Sequence, residues 1–357
     1  MGIKGENSAA IRISATTLGD LLMKGWDKGG GKEALVFPGE RKSYDDVVAG
    51  VINRARGLKA LGIGRGDHVG ILLMNARYKA PEMAYVAQNA DLRAIVTNDL
   101  VTEHVDFGAR LVEAFPDLPT AADPAALTLA GTPLLTQIIM LGGRSAPGFV
   151  DQARFDAAVQ SVSESDIHDT RLTVRVRDTA MILYTSGTSA NPKGCLLSHE
   201  AVTREANNLA RYRWGFQPDE RAWSPLPLFH IAAMLCMLGA MDVGGTFIGQ
   251  PHFDAGESLR QIEAEQVTMM FLPFVTFHQA MIAHPDWDKT DMSSVRLQNS
   301  CFAFMPDRVG QAYRDKAPDM LQVGTMGMTE ATGIVTTGGP AMDPEMGFRK
   351  LGYPLAG

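Results

Sequence analysis

Residues Tyr184 to Gly194, YTSGTSANPKG, gather Thr185, Ser186, Thr188 and Ser189 with Gly187 and Gly194 beside one cation, Lys193. Hydroxyls and unobstructed backbone N–H groups form nests that bind anions. A lysine ammonium adds a mobile point charge suited to phosphate. Apolar residues stand on both sides: Ala180 to Tyr184 read as a buried strand end, and Cys195-Leu196-Leu197 follow. The stretch therefore reads as a loop on a firm scaffold, a place where function concentrates. Gly187 and Lys193 match the spacing of the GxxxxGK[ST] phosphate loop. Two residues argue against that motif. Pro192 replaces its second glycine and has no N–H to offer, and Gly194 stands where a magnesium-binding Ser or Thr is required. A plain surface turn is the alternative, and it leaves so many hydroxyls between apolar flanks unexplained.

Further along, His230 closes PLFH (Pro227 to His230), and Glu330 closes MGMTE (Met326 to Glu330). Taken alone, His230 is as readily a satisfied core histidine as a ligand. Glu330, taken alone, reads first as a helix N-terminal carboxylate favoured by the dipole. Met234, Met237, Met241, Met269 and Met270 read first as core filler, and second as the wall of a pliable apolar tunnel. Phe274 and His278 stand one helical turn apart and could line the same pocket. Cys195, Cys236 and Cys301 have no metal-like spacing; they suit buried packing in a reducing compartment.

These residues need elements to hold them. Helical periodicity is read at 18–26 and 44–61, and Val47, Val48, Val51, Ala55, Leu58 and Leu61 share one face. HVGILLM (68–74) reads as a buried strand, as do LRAIVTN (92–98) and TQIIMLG (136–142). Residues 116–133 read as a loop and 145–170 as an acidic, Ser-rich connection. Helices are expected at 199–212, 231–241, 258–266 and 274–283. Strands are expected in RAWSPLPLFH, at 245–250 and at 267–273. Alternating helices and short apolar strands indicate an α/β fold with largely parallel sheets. The 357 residues suffice for more than one subdomain. With 45% hydrophobic and 20% charged residues and a net charge of −7, the chain has no basic field for nucleic acid or an anionic membrane. No apolar run approaches the roughly 20 residues of a membrane span, and the N-terminal residues lack a signal core. A cytoplasmic location is expected.

YTSGTSANPKG resembles the phosphate loop of the adenylate-forming superfamily (acyl-CoA synthetases, luciferases and peptide-synthetase adenylation domains), usually written YTSGTTGxPKG. PLFH resembles that superfamily's motif at the carboxylate and acyl pocket, and MGMTE resembles YGMTE. The segment KSYDDVVAGVINRARGLKALGIGRGDHVGILLMN is similar to its N-terminal helix and strand. The motifs occur in the family's order and span nearly the whole chain. The resemblance implies the large N-terminal domain of such enzymes over residues 1–357, an αβαβα layering with subdomains near 1–170 and 171–357. It implies ATP-dependent activation of a carboxylic acid as an acyl-adenylate, then thioester formation with coenzyme A, with ATP, Mg2+ and coenzyme A as cofactors. Thr185, Ser186, Gly187, Thr188 and Ser189 would wrap the β- and γ-phosphates with Lys193 in support. Thr329 would bond the α-phosphate, and Met326 and Gly327 would border the nucleotide. Thr185 and Glu330 would hold Mg2+. Thr185, Lys193 and Glu330 are the catalytic candidates, and His230, Met234 and Phe274 line the substrate pocket. PLFH leads into an apolar helix without a nearby Asp, so an acyl or aryl acid is expected rather than an amino acid, whose ammonium needs a buried counter-charge.

Five features depart from the pattern. Ala190 replaces a loop glycine, and Met326 stands where the family has an aromatic against adenine. LQNSCFAFMPDRV (297–309), with Phe302 and Phe304, replaces a small Gly-rich turn. ILLMNARYKAPEMAYV joins two pieces that the family separates by a helix and a strand, so a gap is expected near Asn75-Ala76. The chain stops at KLGYPLAG, where the family continues into a ribose-binding Asp, a hinge and a C-terminal lid with a catalytic lysine. The expectation is a truncated enzyme that lacks complete ligase activity as written. Two alternatives stay open: a non-catalytic nucleotide- or acyl-binding fragment, and an adenylating enzyme that serves a carrier protein. A homodimer is also left open.

Overall fold

The structure, a computed structural model, describes residues 14–71, 78–100, 102, 105–185, 191–300, 305–340 and 350–355. Two compact units are present. The first comprises Met1–Val48, Arg175–Leu183 and Cys195–Gly357, and the second Ala49–Val174 and Tyr184–Gly194.

The first unit is built on a nine-stranded sheet. Its strands are β1 (Glu33–Phe37), β2 (Glu40–Ser43), β8 (Arg221–Ser224), β9 (Thr246–Gly249), β10 (Met269–Phe271), β11 (Leu297–Ser300), β12 (Leu321–Met328), β13 (Gly333–Thr337) and β14 (Tyr353–Pro354). The order is β14-β13-β12-β11-β10-β8-β9-β1-β2. Pairings from β12 through to β1 are parallel, and the strands added at each edge are antiparallel. Helices α1 (Leu18–Gly29), α7 (His199–Asn207), α8 (Ile231–Val243), α9 (Ala255–Ala264), α10 (Val275–Ile282) and α11 (Asp307–Lys316) also fall in this unit. Parallel neighbours need crossovers, and α8 to α11 supply them.

The amino ends of three neighbouring strands are tied by one carboxylate. Glu220, just before β8, is buried. It accepts from Arg296 at 2.6 Å, just before β11, and from the Thr268 hydroxyl at 2.6 Å, just before β10. Helix α8 is apolar all round and is largely buried, as such a helix must be. Its one acid, Asp242, is satisfied by Arg211 at 2.6 Å and Asn207 at 3.0 Å. The core around α8 holds Trp214, Phe216 and Phe271.

The second unit carries a three-stranded sheet, β3 (His68–Ile71), β4 (Leu92–Asn98) and β5 (Gln137–Leu141), in that order and all parallel. Helices α3 (Ala80–Asn89), α4 (Phe107–Ala114), α5 (Gln152–Val159) and α6 (Glu164–Thr173) belong to it. Helix α2 (Tyr44–Ala60) begins in the first unit and continues into the second. Strands β6 (Thr179–Thr185) and β7 (Lys193–Ser198) form a separate two-stranded sheet.

The fold class is α/β with largely parallel sheets, as the pattern predicts. Several details differ from the sequence-based expectations. Residues 145–170 are not a plain connection: α5 starts on Asp151, which accepts the Arg154 N–H at 2.9 Å, and α6 starts on a Ser163–Asp166 capping box. The predicted buried strand at 68–74 is half-buried where it is described, and Ile71 is 51% exposed, because β3 is the outer strand beside β4. Of Ala180 to Tyr184, only Leu183 is buried. The helix predicted at 199–212 changes to a π-helical turn at Asn208–Arg213. The expected gap at Asn75-Ala76 lies outside the described residues. Beyond it, α3 leads into β4, which is parallel to β3, so among the described residues α3 is the element of that crossover. Among the described residues no helix is long and apolar enough to cross a membrane.

Candidate functional site

In the first unit the predicted groups follow the carboxyl ends of adjacent parallel strands. His230 follows β8, Phe274 follows β10, and Met326 to Glu330 end β12 and turn away from it. Residues 301–304, with Phe302 and Phe304, follow β11 and lie outside the described residues. In open α/β sheets ligands bind beyond the carboxyl ends of the strands.

The β12 turn shows how sequence makes an exposed edge. Residues 322–325 are buried, whereas Met326, Gly327 and Met328 are exposed. Thr329 to Ala331 form one 3-10 turn, and Thr332 takes a left-handed φ of 69° before β13 returns antiparallel. Gly327 is required by close approach: a Cβ there would lie 2.1 Å from the Gly333 carbonyl oxygen. Glu330 is exposed in this short turn and is not the N-terminal carboxylate of an α-helix. Met326, at 42% exposure, stands open at the strand end.

Behind the turn lies a closed polar network that sequence reasoning missed. Thr325 Oγ1 donates to Asn299 Oδ1 at 2.7 Å and is 2.8 Å from Thr337 Oγ1. Thr337 Oγ1 accepts from Asn299 Nδ2 at 3.1 Å and from Trp214 Nε1 at 3.4 Å. All four residues are buried, and they join β11, β12 and β13. Such networks rigidify when satisfied.

Glu205 on α7 was also missed. Its carboxylate oxygen accepts the Ile334 N–H at 3.0 Å, one residue into β13. Burial pushes its pKa up to about 8, only partly offset by that hydrogen bond. Its place in sequence was a signal, because an acid beside buried Val202 and Ala206 interrupts a helix face otherwise turned to the core.

The acyl-pocket candidates separate. His230 caps α8 with its backbone, is exposed, and lies 4.9 Å from the Phe229 ring. Met234 is half-buried, while Met241, Met269 and Met270 are core residues. Phe274 is 46% exposed at the start of α10. His278 does not share its surroundings: it is fully buried, 2.9 Å from the Tyr313 hydroxyl and 2.7 Å from the Leu272 carbonyl. Burial lowers its pKa to about 4. It is a core histidine. Cys236 is likewise buried and Cys195 half-buried; Cys301 lies outside the described residues.

In the second unit, Thr185 is the last residue of β6 and Lys193 the first of β7, with the lysine exposed. The strands thus extend further into YTSGTSANPKG than its composition suggests. Ser186, Gly187, Thr188, Ser189 and Ala190 lie outside the described residues. Among the described residues no group of three or more His, Cys, Asp or Glu side chains forms a metal cluster.

The profile of the AMP-binding enzyme family matches residues 73–357, which include all three motifs. The chain belongs to that family. The chain is 32% identical over 302 residues to the feruloyl-CoA synthase of an Amycolatopsis species, covering 84% of the chain and 56% of the relative. It is 29% identical over 321 residues to the indoleacetate–CoA ligase of Aromatoleum aromaticum, covering 87% and 59%. The chain thus spans somewhat more than half the length of these curated relatives. The crystal structure of the anthranilate CoA ligase AuaEII with anthranoyl-AMP shares the fold: TM-score 0.78 at 19% identity, over 98% of this chain and 66% of that one.

Proposed function

We propose that the protein takes part in ATP-dependent activation of an acyl or aryl carboxylic acid and its transfer to coenzyme A. The carboxylate oxygen attacks the α-phosphorus of ATP and pyrophosphate leaves. The coenzyme A thiolate then attacks the acyl carbon, and AMP leaves. The observation that carries this reading is the gathering of His230, Phe274 and the Met326–Glu330 turn beyond the carboxyl ends of one parallel sheet in a member of the AMP-binding family.

Both reactants of the first step are anionic, so the site's task is positioning and charge stabilisation. Thr185 and Lys193 hold the β- and γ-phosphates together with Ser186, Gly187, Thr188 and Ser189. Thr329 donates to the α-phosphate, and Met326 and Gly327 border the nucleotide. A hard cation suits Glu330, an exposed carboxylate, because Mg2+ prefers one or two carboxylates with phosphate oxygens over an all-protein cage. When bound, the ion would neutralise phosphate charge. His230, Met234 and Phe274 border the acid. Asp242, the acid at the far end of α8, is already bonded to Arg211 and Asn207, so it does not serve as the counter-charge for a substrate ammonium. The named relatives act on feruloyl and indoleacetate acids, which agrees with an apolar or aromatic acyl group. Three scattered cysteines without disulfide-like spacing, Cys195, Cys236 and Cys301, fit a reducing compartment such as the cytoplasm.

Pyrophosphate exchange into ATP, with aryl, fatty and amino acids supplied separately, tests the reading. Exchange driven by an aryl or fatty acid is expected. Exchange driven only by amino acids would overturn it.

A further inference from the structure

The second unit holds both ends of YTSGTSANPKG on one face of one helix. Tyr184 Oη donates to Asn89 Oδ1 at 2.7 Å. Tyr85 Oη donates to the Pro192 carbonyl at 3.2 Å. Tyr85 and Asn89 stand four residues apart on α3, so they lie one above the other on the same face. A different face of that helix, with Ala80, Met83 and Ala87, is buried. The helix is also well begun: the Lys79 N–H donates to Glu82 Oε2 at 3.0 Å. It is therefore a rigid bar, and its two polar groups reach the residue before Thr185 and the residue before Lys193.

We propose that Tyr85 and Asn89 are positioning residues that set the spacing of Thr185 and Lys193 for the polyphosphate of ATP. The proposal rests on the nucleotide reading given above. Neither residue touches the nucleotide in this assignment. Each acts through a neighbour of the residue it positions: Asn89 holds the Tyr184 side chain, one residue before β6 stops, and Tyr85 holds the Pro192 backbone carbonyl, one residue before β7 starts. Burial raises the Tyr184 pKa to about 12, so its hydroxyl keeps its proton and remains the donor to Asn89 at any working pH. Without the two bonds, the lysine ammonium and the threonine hydroxyl need ordering at the moment of binding, and that ordering opposes affinity.

The test compares Mg·ATP with AMP, which lacks the β- and γ-phosphates. Titration calorimetry on the full 357-residue chain gives both dissociation constants for the wild type, Tyr85→Phe, Asn89→Ala, Tyr184→Phe and Lys193→Ala. Each hydrogen-bond variant is expected to weaken Mg·ATP about threefold to tenfold, the worth of one neutral hydrogen bond, while AMP binding stays unchanged. Combining Asn89→Ala with Tyr184→Phe is expected to cost no more than either alone, since one bond is lost in all three. A general loss of structure would weaken both nucleotides and refutes the positioning role. If Lys193→Ala abolishes the preference for Mg·ATP and the Tyr85 and Asn89 variants keep it, the clamp is wrong and the phosphate-loop reading stands. If the wild type shows no preference for Mg·ATP over AMP, the phosphate-loop reading falls, and the clamp with it.

Discussion

Glu205 makes stability depend on pH in a direction opposite to most carboxylates. Its pKa is about 8 in the folded chain, against 4.5 for an ordinary glutamate, because burial penalises the charged form. Between those two values the folded state binds a proton that the unfolded state has released. Stability contributed by the neutral group is therefore fully present below about pH 4.5 and is lost as pH rises towards 8, with a slope up to about 1.4 kcal/mol per unit. The whole window is worth at most about 5 kcal/mol. Glu205→Gln keeps an oxygen acceptor for the Ile334 N–H and has no proton to lose, so this slope should vanish. From pH 5.5 to 8.5 the wild type should lose up to about 3 kcal/mol relative to the variant. With a urea m-value of about 3 kcal/mol per M, that is roughly 1 M in midpoint. Urea unfolding followed by tryptophan fluorescence reads it, since Trp214 and Trp223 are fully buried. The other titrating groups cancel in the difference between the two proteins. A wild-type-minus-variant difference that is constant from pH 5.5 to 8.5 would refute the assignment of a buried, neutral Glu205.

Thr337→Val removes the oxygen shared by Asn299, Trp214 and Thr325, leaves buried donors unpaired, and should cost about 2–3 kcal/mol in urea unfolding. Gly327→Ala places a Cβ 2.1 Å from the Gly333 oxygen; a loss of at least about 2 kcal/mol is expected, and an unchanged melting temperature would contradict the close β12–β13 approach. Glu330→Gln should raise the Mg2+ concentration for half-maximal pyrophosphate exchange about tenfold or more, with the acid KM little changed.

What sequence made legible follows from where apolar residues recur. LRAIVTN matched β4 to the residue because β4 is the central strand of its sheet and needs a nearly continuous apolar run. Helix α6 was missed because none of its residues is buried, so it has no apolar stripe to read; only its Ser163–Asp166 capping box marked it. The β1–β2 hairpin was missed although Pro38-Gly39 separates its strands, a turn signal that the short strands made easy to pass over. At the site, MGMTE and PLFH were legible as short strings, since each chemical role needs a given residue type at a given place. Glu205, Asn299 and Thr337 were not, because their roles depend on partners 129, 38 and 12 residues away.

That difference says how the candidate site is held. Met326, Gly327, Met328 and Glu330 are exposed and Thr329 is half-buried, and the 3-10 turn at Thr329–Ala331 is too short to be rigid alone. The order comes from behind: Thr325 anchors the strand just before the turn, and Glu205 takes the Ile334 N–H just after it. Buried polar groups are costly unless paired, so a core selected for stability alone would place apolar residues at both positions. Their presence on either side of the turn couples its geometry to a closed hydrogen-bond network. Asn299→Leu, which is close in volume, should therefore change function out of proportion to stability. The network loses the side chain that bridges Thr325 to Thr337, Thr325 and Thr337 retain each other, and unfolding free energy should fall by no more than about 1–2 kcal/mol. The turn is freed to shift, and pyrophosphate exchange should drop in kcat with little change in the ATP KM. Equal, small losses in kcat and stability would mean that the network serves the fold alone.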